Sequence, residues 1–264
     1  LEKIALPLPA FKKLKNYCKL RKIKFLSSPF DDVSLNYLKD FNMDFIKIPS
    51  GEITNMPFLE KIGKLKKKII LSTGMSTIME IKSALKILNK FGTKKKNITI
   101  LQCNTEYPSP LEDLNLNAMV FMQKKLKTKI GFSDHSLGFE ASLAAVALGA
   151  KVIEKHLTLS QKMNGPDHSS SLEPNDFKFM VNSIRKVEKC LGRHEKKPTK
   201  SERKNIKIAR KSIVASKAIK KGEVFELSNI TIKRPGSGIS PYMFKKILGK
   251  KSKKSFREDE LIKI

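Results

Sequence analysis

His135 in GFSDHSLGF and His156 in VIEKHLTL stand at the tails of two successive apolar runs with β-strand character. That is where a barrel of parallel strands builds its active site. In the second run, alternation along a strand puts Val152, Glu154 and His156 on one face and Ile153, Lys155 and Leu157 on the other. A buried face carrying a carboxylate and an imidazole is costly unless each group finds a partner. The pair therefore asks for a metal ion or a substrate, and neutral imidazoles with open water positions suit a catalytic divalent cation acting as a Lewis acid.

Other strand ends carry polar groups as well. FIKIPSGE places Lys47 inside an apolar strand, with Ser50, Gly51 and Glu52 just beyond it. A cation there needs an anion, supplied by a substrate phosphate or carboxylate or by a nearby acid. ILSTGM ends on Ser72 and Thr73 before Gly74, a turn whose hydroxyls and amides can hold phosphate but which is also ordinary turn chemistry. LQCNTEYPSP gathers Asn104, Thr105, Glu106 and Tyr107 before Pro108, GFSDHS adds Ser133 and Asp134, and GPDHSSSLEP adds Asp167 and His168. His194 lies in a charged stretch and is expected to be indifferent.

The elements that must position these groups alternate regularly. Strands are expected at 24–28, 45–49, 69–72, 98–103, 129–133 and 152–157, each followed by a segment with helical apolar spacing, and a helix is expected in PAFKKLKNYCKLRK ahead of the first. This rhythm is that of parallel βα units. A closed (β/α)8 TIM-type barrel needs eight, so the expectation is an α/β barrel whose first two strands lie upstream of a chain that starts at Leu1. An open doubly wound sheet is the other possibility, but no Gly-rich dinucleotide turn follows any strand. The barrel domain is expected over 1–193. A polar linker follows over 194–204 in GRHEKKPTKSERKN, and a small β-rich domain over 205–264.

Composition bounds the class. The chain has 264 residues, 40% of them hydrophobic, enough for one large core and a small one. Its formal net charge of +29 would ordinarily raise nucleic acid or an anionic membrane as partner, but the excess is mostly lysine spread over helix faces and turns, without interleaved aromatics. No nucleic-acid or membrane partner is expected, and an anionic small substrate is favoured. Three cysteines without zinc-type or disulfide spacing point to a reducing cytoplasm.

Taken together, SSPFD, KIPSGE, LSTGM, CNTEYPSP, GFSDHS, EKHLTL, GPDHSSSLEP and KRPGSGISP resemble the sialic acid synthase family over the whole chain. The resemblance implies a (β/α)8 barrel fused to an antifreeze-like (SAF) domain and paired as a domain-swapped homodimer. The implied reaction condenses phosphoenolpyruvate with N-acetylmannosamine or a related 2-acetamido sugar, giving a nine-carbon 2-keto acid and phosphate. By the same resemblance His135 and His156 match the Mn2+ or Mg2+ ligands, and Ser28, Lys47, Ser50, Ser72, Thr105 and Ser133 match contacts to phosphoenolpyruvate. Glu52 matches a catalytic carboxylate, and Lys47 is expected to serve in catalysis as well. Tyr107, Glu154, Asp167 and Arg234 match groups around the sugar, the arginine reaching the partner subunit's site.

The family's opening strands have no counterpart in this sequence, so the chain as given is expected to be unstable or inactive. Two rivals remain: another phosphoenolpyruvate-aldose condensing synthase, of the legionaminic or 3-deoxy-2-keto acid type, and an inactive barrel serving as a basic binding protein.

Overall fold

The structure is a computed structural model and describes residues 6–264. It divides into two compact units, the first ending at Gly192 and the second running from Arg193 to Ile264.

In the first unit a helix α1 (Leu8–Leu20) and a helix α2 (Asp32–Lys39) precede a run of βα units. These are β1 (Phe45–Ile48), α3 (Met56–Lys64), β2 (Lys68–Ser72), α4 (Ile78–Lys90), β3 (Ile98–Cys103), α5 (Leu116–Leu126), β4 (Lys129–Asp134), α6 (Glu140–Ala147), β5 (Ile153–Lys155) and α7 (Pro174–Leu191). The strands form one parallel sheet in the order β1-β2-β3-β4-β5, curled as part of a TIM-like barrel.

Alternation along each strand divides the sheet into two faces. Ile46 and Ile48 of β1, Ile69 and Leu71 of β2 and Ile98 and Ile100 of β3 are buried with Leu59, Ile62, Leu85 and Leu88 of the helices, which fill the outer layer. Each fully covered aliphatic side chain of this kind contributes about 1.5–3 kcal/mol. The residues between them face the concave side. Those nearest the C-terminal ends are Lys47, Ser72, Cys103, Ser133 and Glu154, which all line one cleft.

Local sequence explains the helix ends. Asp31 caps α2 and Thr77 caps α4, each in a reciprocal capping box with the residue three positions on, while Asn55 caps α3. Between β4 and β5, Gly131 is required by close approach. A Cβ there would lie 2.4 Å from the Val152 carbonyl oxygen and 2.5 Å from Leu101 Cδ2.

One expected strand is not there. Residues 24–28 join no ladder among the described residues. A short apolar run such as Phe25–Leu26 suits an extended chain, but a strand exists only through hydrogen bonds to a neighbour.

The second unit begins with a helix α8 (Lys200–Ala209), capped by Thr199 and Glu202. This corrects the reading of 194–204 as a linker throughout: the charge density suggested a solvated connector, but Thr199 with Glu202 is a helix-start signature. The antiparallel pair β6 (Ser212–Ala215) and β7 (Ile230–Lys233) follows, then a short helix α9 (Phe244–Ile247). Ile213, Ile219, Phe225, Ile230, Ile247, Phe256 and Ile262 form its core.

Candidate active site

The concave face opens into a cleft of about 350 Å3 at the C-terminal ends of the strands. Lys47 sits at its floor, 6% exposed, and its Nζ donates a hydrogen bond to Ser72 Oγ at 2.8 Å. The same ammonium lies 3.4 Å from Glu154 Oε1, which also accepts a hydrogen bond from Ser133 Oγ at 2.8 Å. One cation, one carboxylate and two hydroxyls from four different strands thus share a single focus.

On the next wall His135 Nδ1 donates to the Asn104 carbonyl, and its Nε2 is 3.2 Å from Ser133 Oγ. The His135 and His156 rings are 5.1 Å apart between centroids, and Tyr107 lies against both, at 4.2 Å and 5.4 Å. His156 Nδ1 faces Asp167 Oδ2 at 3.5 Å. Burial pushes the His135 imidazole below its ordinary range, although the Asn104 carbonyl and the Glu154 carboxylate pull the other way, so it is neutral at neutral pH. The Tyr107 phenol is pushed up to about 12, chiefly by burial, and stays protonated.

Proton counting identifies what the imidazoles can do. A carbonyl oxygen only accepts, so His135 Nδ1 carries the proton. Ser133 has one hydroxyl proton and directs it to the Glu154 carboxylate. The Nε2 lone pair of His135 is therefore left without a proton donor among the described residues. An imidazole anchored through Nδ1 to a carbonyl is the arrangement in which Nε2 binds a metal ion. Among the described residues no group of three or more His, Cys, Asp and Glu is arranged to hold a metal. The residues present fit a divalent ion held by two imidazoles, with its other positions left to water and substrate.

The anion side of the cleft is built from turns. Ser50 follows β1 and its Oγ accepts from the Gly74 N–H at 3.0 Å, beside Cys103 Sγ at 3.2 Å. Ser28 and Thr105 complete the lining.

The cleft is thus lined by Ser28, Lys47, Ser50, Ser72, Thr105, Tyr107, Ser133, Glu154, His135 and His156. Asp167 adjoins it through His156. Glu52 is not among the lining residues. It lies on the single 3-10 turn Ser50–Glu52, and its carboxylate accepts from Asn55 Nδ2 at 2.7 Å, drawn to the start of α3. Arg234 is in the second unit, exposed, its Nε donating to the Ala209 carbonyl at 3.1 Å.

Sequence reasoning passed over Cys103, Phe30 and Met75, which also line the cleft. Cys103 could have been found by alternation, being the last inward residue of its strand. Sequence reasoning named Asp134 and Lys155 but not their pairing: both side chains are fully covered on the outward face, with Nζ 3.2 Å from Oδ1. Burial lowers the pKa of Lys155, and the Asp134 carboxylate opposes that shift.

A profile described as the NeuB family matches residues 1–196, and one described as the SAF domain matches 210–264. The chain belongs to the NeuB family, that of the sialic acid synthases. This NeuB-family chain is 52% identical, over its whole length and 79% of the other protein, to the N,N'-diacetyllegionaminic acid synthase of Campylobacter jejuni. It is 34% identical to the N-acetylneuraminate-9-phosphate synthase of Homo sapiens, over 96% of this chain and 70% of that one. A crystal structure of the N-acetylneuraminic acid synthetase of Leptospira borgpetersenii, in complex with citrate, superposes with a TM-score of 0.71 at 34% identity, covering 76% of this chain and 70% of that one. A Chromobacterium violaceum protein, at 24% identity and a TM-score of 0.81 over 99% of this chain and 78% of that one, shares the fold.

Proposed function

We propose that the protein condenses phosphoenolpyruvate with an open-chain 2-acetamido sugar, releasing phosphate and forming a nine-carbon 2-keto acid. The observation that carries this reading is the buried Lys47 ammonium, bonded to Ser72 and facing Glu154, beside two imidazoles on the same concave face. The motifs leave N-acetylmannosamine and the diacetamido sugars both open. The 52% identical relative, named for N,N'-diacetyllegionaminic acid, favours a diacetamido sugar.

In this reading Lys47, Ser72, Ser50 and Thr105 hold the phosphate and carboxylate of the donor, an ammonium and hydroxyl set suited to a compact anion. Tyr107, neutral throughout the working range, covers the two imidazoles and shapes the sugar side of the cleft. Bringing the donor's methylene carbon against the sugar's aldehyde carbon supplies much of the rate through proximity. A Mn2+ or Mg2+ ion held by Nε2 of His135 and His156 would polarise the aldehyde oxygen as a Lewis acid.

The carbon–carbon bond forms as the enol double bond attacks the aldehyde carbon. Water adds at the adjacent cationic centre, and phosphate leaves with its bridging oxygen. Glu154, within reach of Ser133 and Lys47, takes the water's proton, and the aldehyde oxygen takes up a proton to become the new hydroxyl. The functional unit in this reading is a homodimer in which Arg234 of one copy serves the cleft of the other.

The test, made on the protein extended upstream to include the family's opening strands, is phosphate release from phosphoenolpyruvate with a panel of mono- and diacetamido sugars and phosphorylated aldoses, with and without a chelator. Release with a 2-acetamido sugar, abolished by the chelator, is the expected result. Release only with phosphorylated aldoses, or none with any sugar in the presence of Mn2+ or Mg2+, would overturn the proposal.

A further inference from the structure

Lys155 and Asp134 are flanked in sequence by the residues of the cleft, yet neither faces it. At the end of β4 and just past it the order is Ser133, Asp134, His135, and at the end of β5 and just past it the order is Glu154, Lys155, His156. The ladder pairs Ser133 with Glu154 and Asp134 with Lys155. Alternation therefore stacks two cross-strand pairs on opposite faces of the same short ladder: a hydrogen-bonded pair inside and an ion pair outside.

The outer pair is satisfied on every side. Asp134 Oδ1 accepts from the Ser136 N–H at 3.0 Å and from Ser136 Oγ at 2.6 Å, while Oδ2 accepts from Ser142 Oγ of α6 at 2.6 Å. Lys155 Nζ donates to the Ser136 carbonyl. The backbone of Ser136, the residue directly after His135, is thus held at its N–H by the aspartate of β4 and at its C=O by the lysine of β5. The His135 carbonyl is fixed in turn by the Ser109 N–H at 2.9 Å. β5 is only three residues long and lies at one end of the sheet, so few ladder bonds hold its register against β4.

We propose that the Lys155–Asp134 ion pair is a positioning device that sets the separation of the His135 and His156 imidazoles, through the backbone of Ser136 and the β4–β5 register. It rests on the reading of those imidazoles as metal ligands, and it adds two positioning residues that touch neither metal nor substrate. A buried pair would be replaceable by apolar residues if its only role were stability. A pair that aims neighbouring side chains is not replaceable without moving them.

The test compares wild type with a double variant, Asp134→Asn with Lys155→Met, which removes both charges at nearly constant volume, keeps the Ser136 hydrogen bonds to Oδ1, and turns the Ser142 contact round so that the amide nitrogen donates to Ser142 Oγ. Mn2+ affinity is measured by titration of the metal-free protein. The ring geometry is read from nuclear Overhauser contacts between Tyr107 and His135. The expected result is a folded protein by circular dichroism, Mn2+ affinity reduced about 10- to 100-fold, weakened ring contacts, and a lower kcat with an unchanged KM for phosphoenolpyruvate. A folded double variant with wild-type affinity and wild-type ring contacts overturns the proposal. Should the double variant fail to fold, Ser142→Ala, which removes only one tether of Asp134, is expected to lower Mn2+ affinity several-fold, and unchanged affinity there overturns the proposal equally. If wild type binds no Mn2+, the metal reading itself fails, and the ring contacts alone decide whether the ion pair positions the histidines.

Discussion

Lys47 and Glu154 face each other at 3.4 Å although they come from β1 and β5, the two end strands of the sheet. Neighbouring strands are about 4.8 Å apart, so four strand spacings in a flat sheet would separate them by roughly 19 Å. Only the curl of the sheet closes that gap, and the contact makes the concave face a site rather than a row of polar strand ends.

Lys47→Met is expected to lower kcat/KM for phosphoenolpyruvate by about 10²- to 10³-fold, the usual cost of truncating a charged contact in a desolvated site. Lys47→Arg should not restore it, because the planar guanidinium cannot occupy the place of a compact ammonium. Loss of fold should be modest, since the Glu154 side chain is about a third exposed and keeps Ser133. Steady-state kinetics with urea unfolding checks both halves, and a Lys47→Met variant of normal KM and kcat would remove Lys47 from the site.

His135→Ala and His156→Ala are each expected to weaken Mn2+ binding by at least about 100-fold, more than substitutions of groups that only support a ligand. Calorimetric titration of the purified variants measures it. Retained chelator sensitivity with full turnover in either one would refute the assignment.

Gly74→Ala probes the anion side. The added Cβ would lie 2.6 Å from Thr105 Cγ2, 2.9 Å from Ser50 Oγ and 3.1 Å from Cys103 Sγ, so groups lining the cleft must move. The expected outcome is a KM for phosphoenolpyruvate raised about tenfold or more, with a stability loss of about 1–3 kcal/mol. A KM equal to that of wild type would show that these side chains are not substrate contacts.

The capping box of α4 gives a pH dependence. The Thr77 N–H and hydroxyl donate to the Glu80 carboxylate at 2.7 Å and 2.8 Å and hold its pKa below the ordinary 4.5. A carboxylate lowered on folding stabilises the native state above its unfolded value, and that contribution is lost as pH falls through the folded value. Thr77→Ala should therefore cost about 1 kcal/mol at neutral pH. Glu80→Gln should lower the urea midpoint at neutral pH and converge with wild type well below pH 4.5. A Glu80→Gln deficit that persists unchanged in acid would contradict the sign.

By itself the sequence determined which residues turn inward. Alternation assigned Glu154 and His156 to one face and Lys155 to the other, and the polar strand ends marked Lys47, Ser72 and Ser133, because side-chain direction in a strand is a local property. The order of strands and helices was legible for the same reason, and the ordered motifs carried the family. Tertiary structure alone decided which strand ends meet. The curl that brings Lys47 to Glu154, the buried partnership of Lys155 with Asp134, and the turn that sends Glu52 to Asn55 all depend on contacts between segments far apart in the chain or on the path of a loop. Residues 24–28 make the same point in reverse. Their apolar pattern favours an extended backbone, but a strand needs a neighbour to pair with, and no local pattern supplies one.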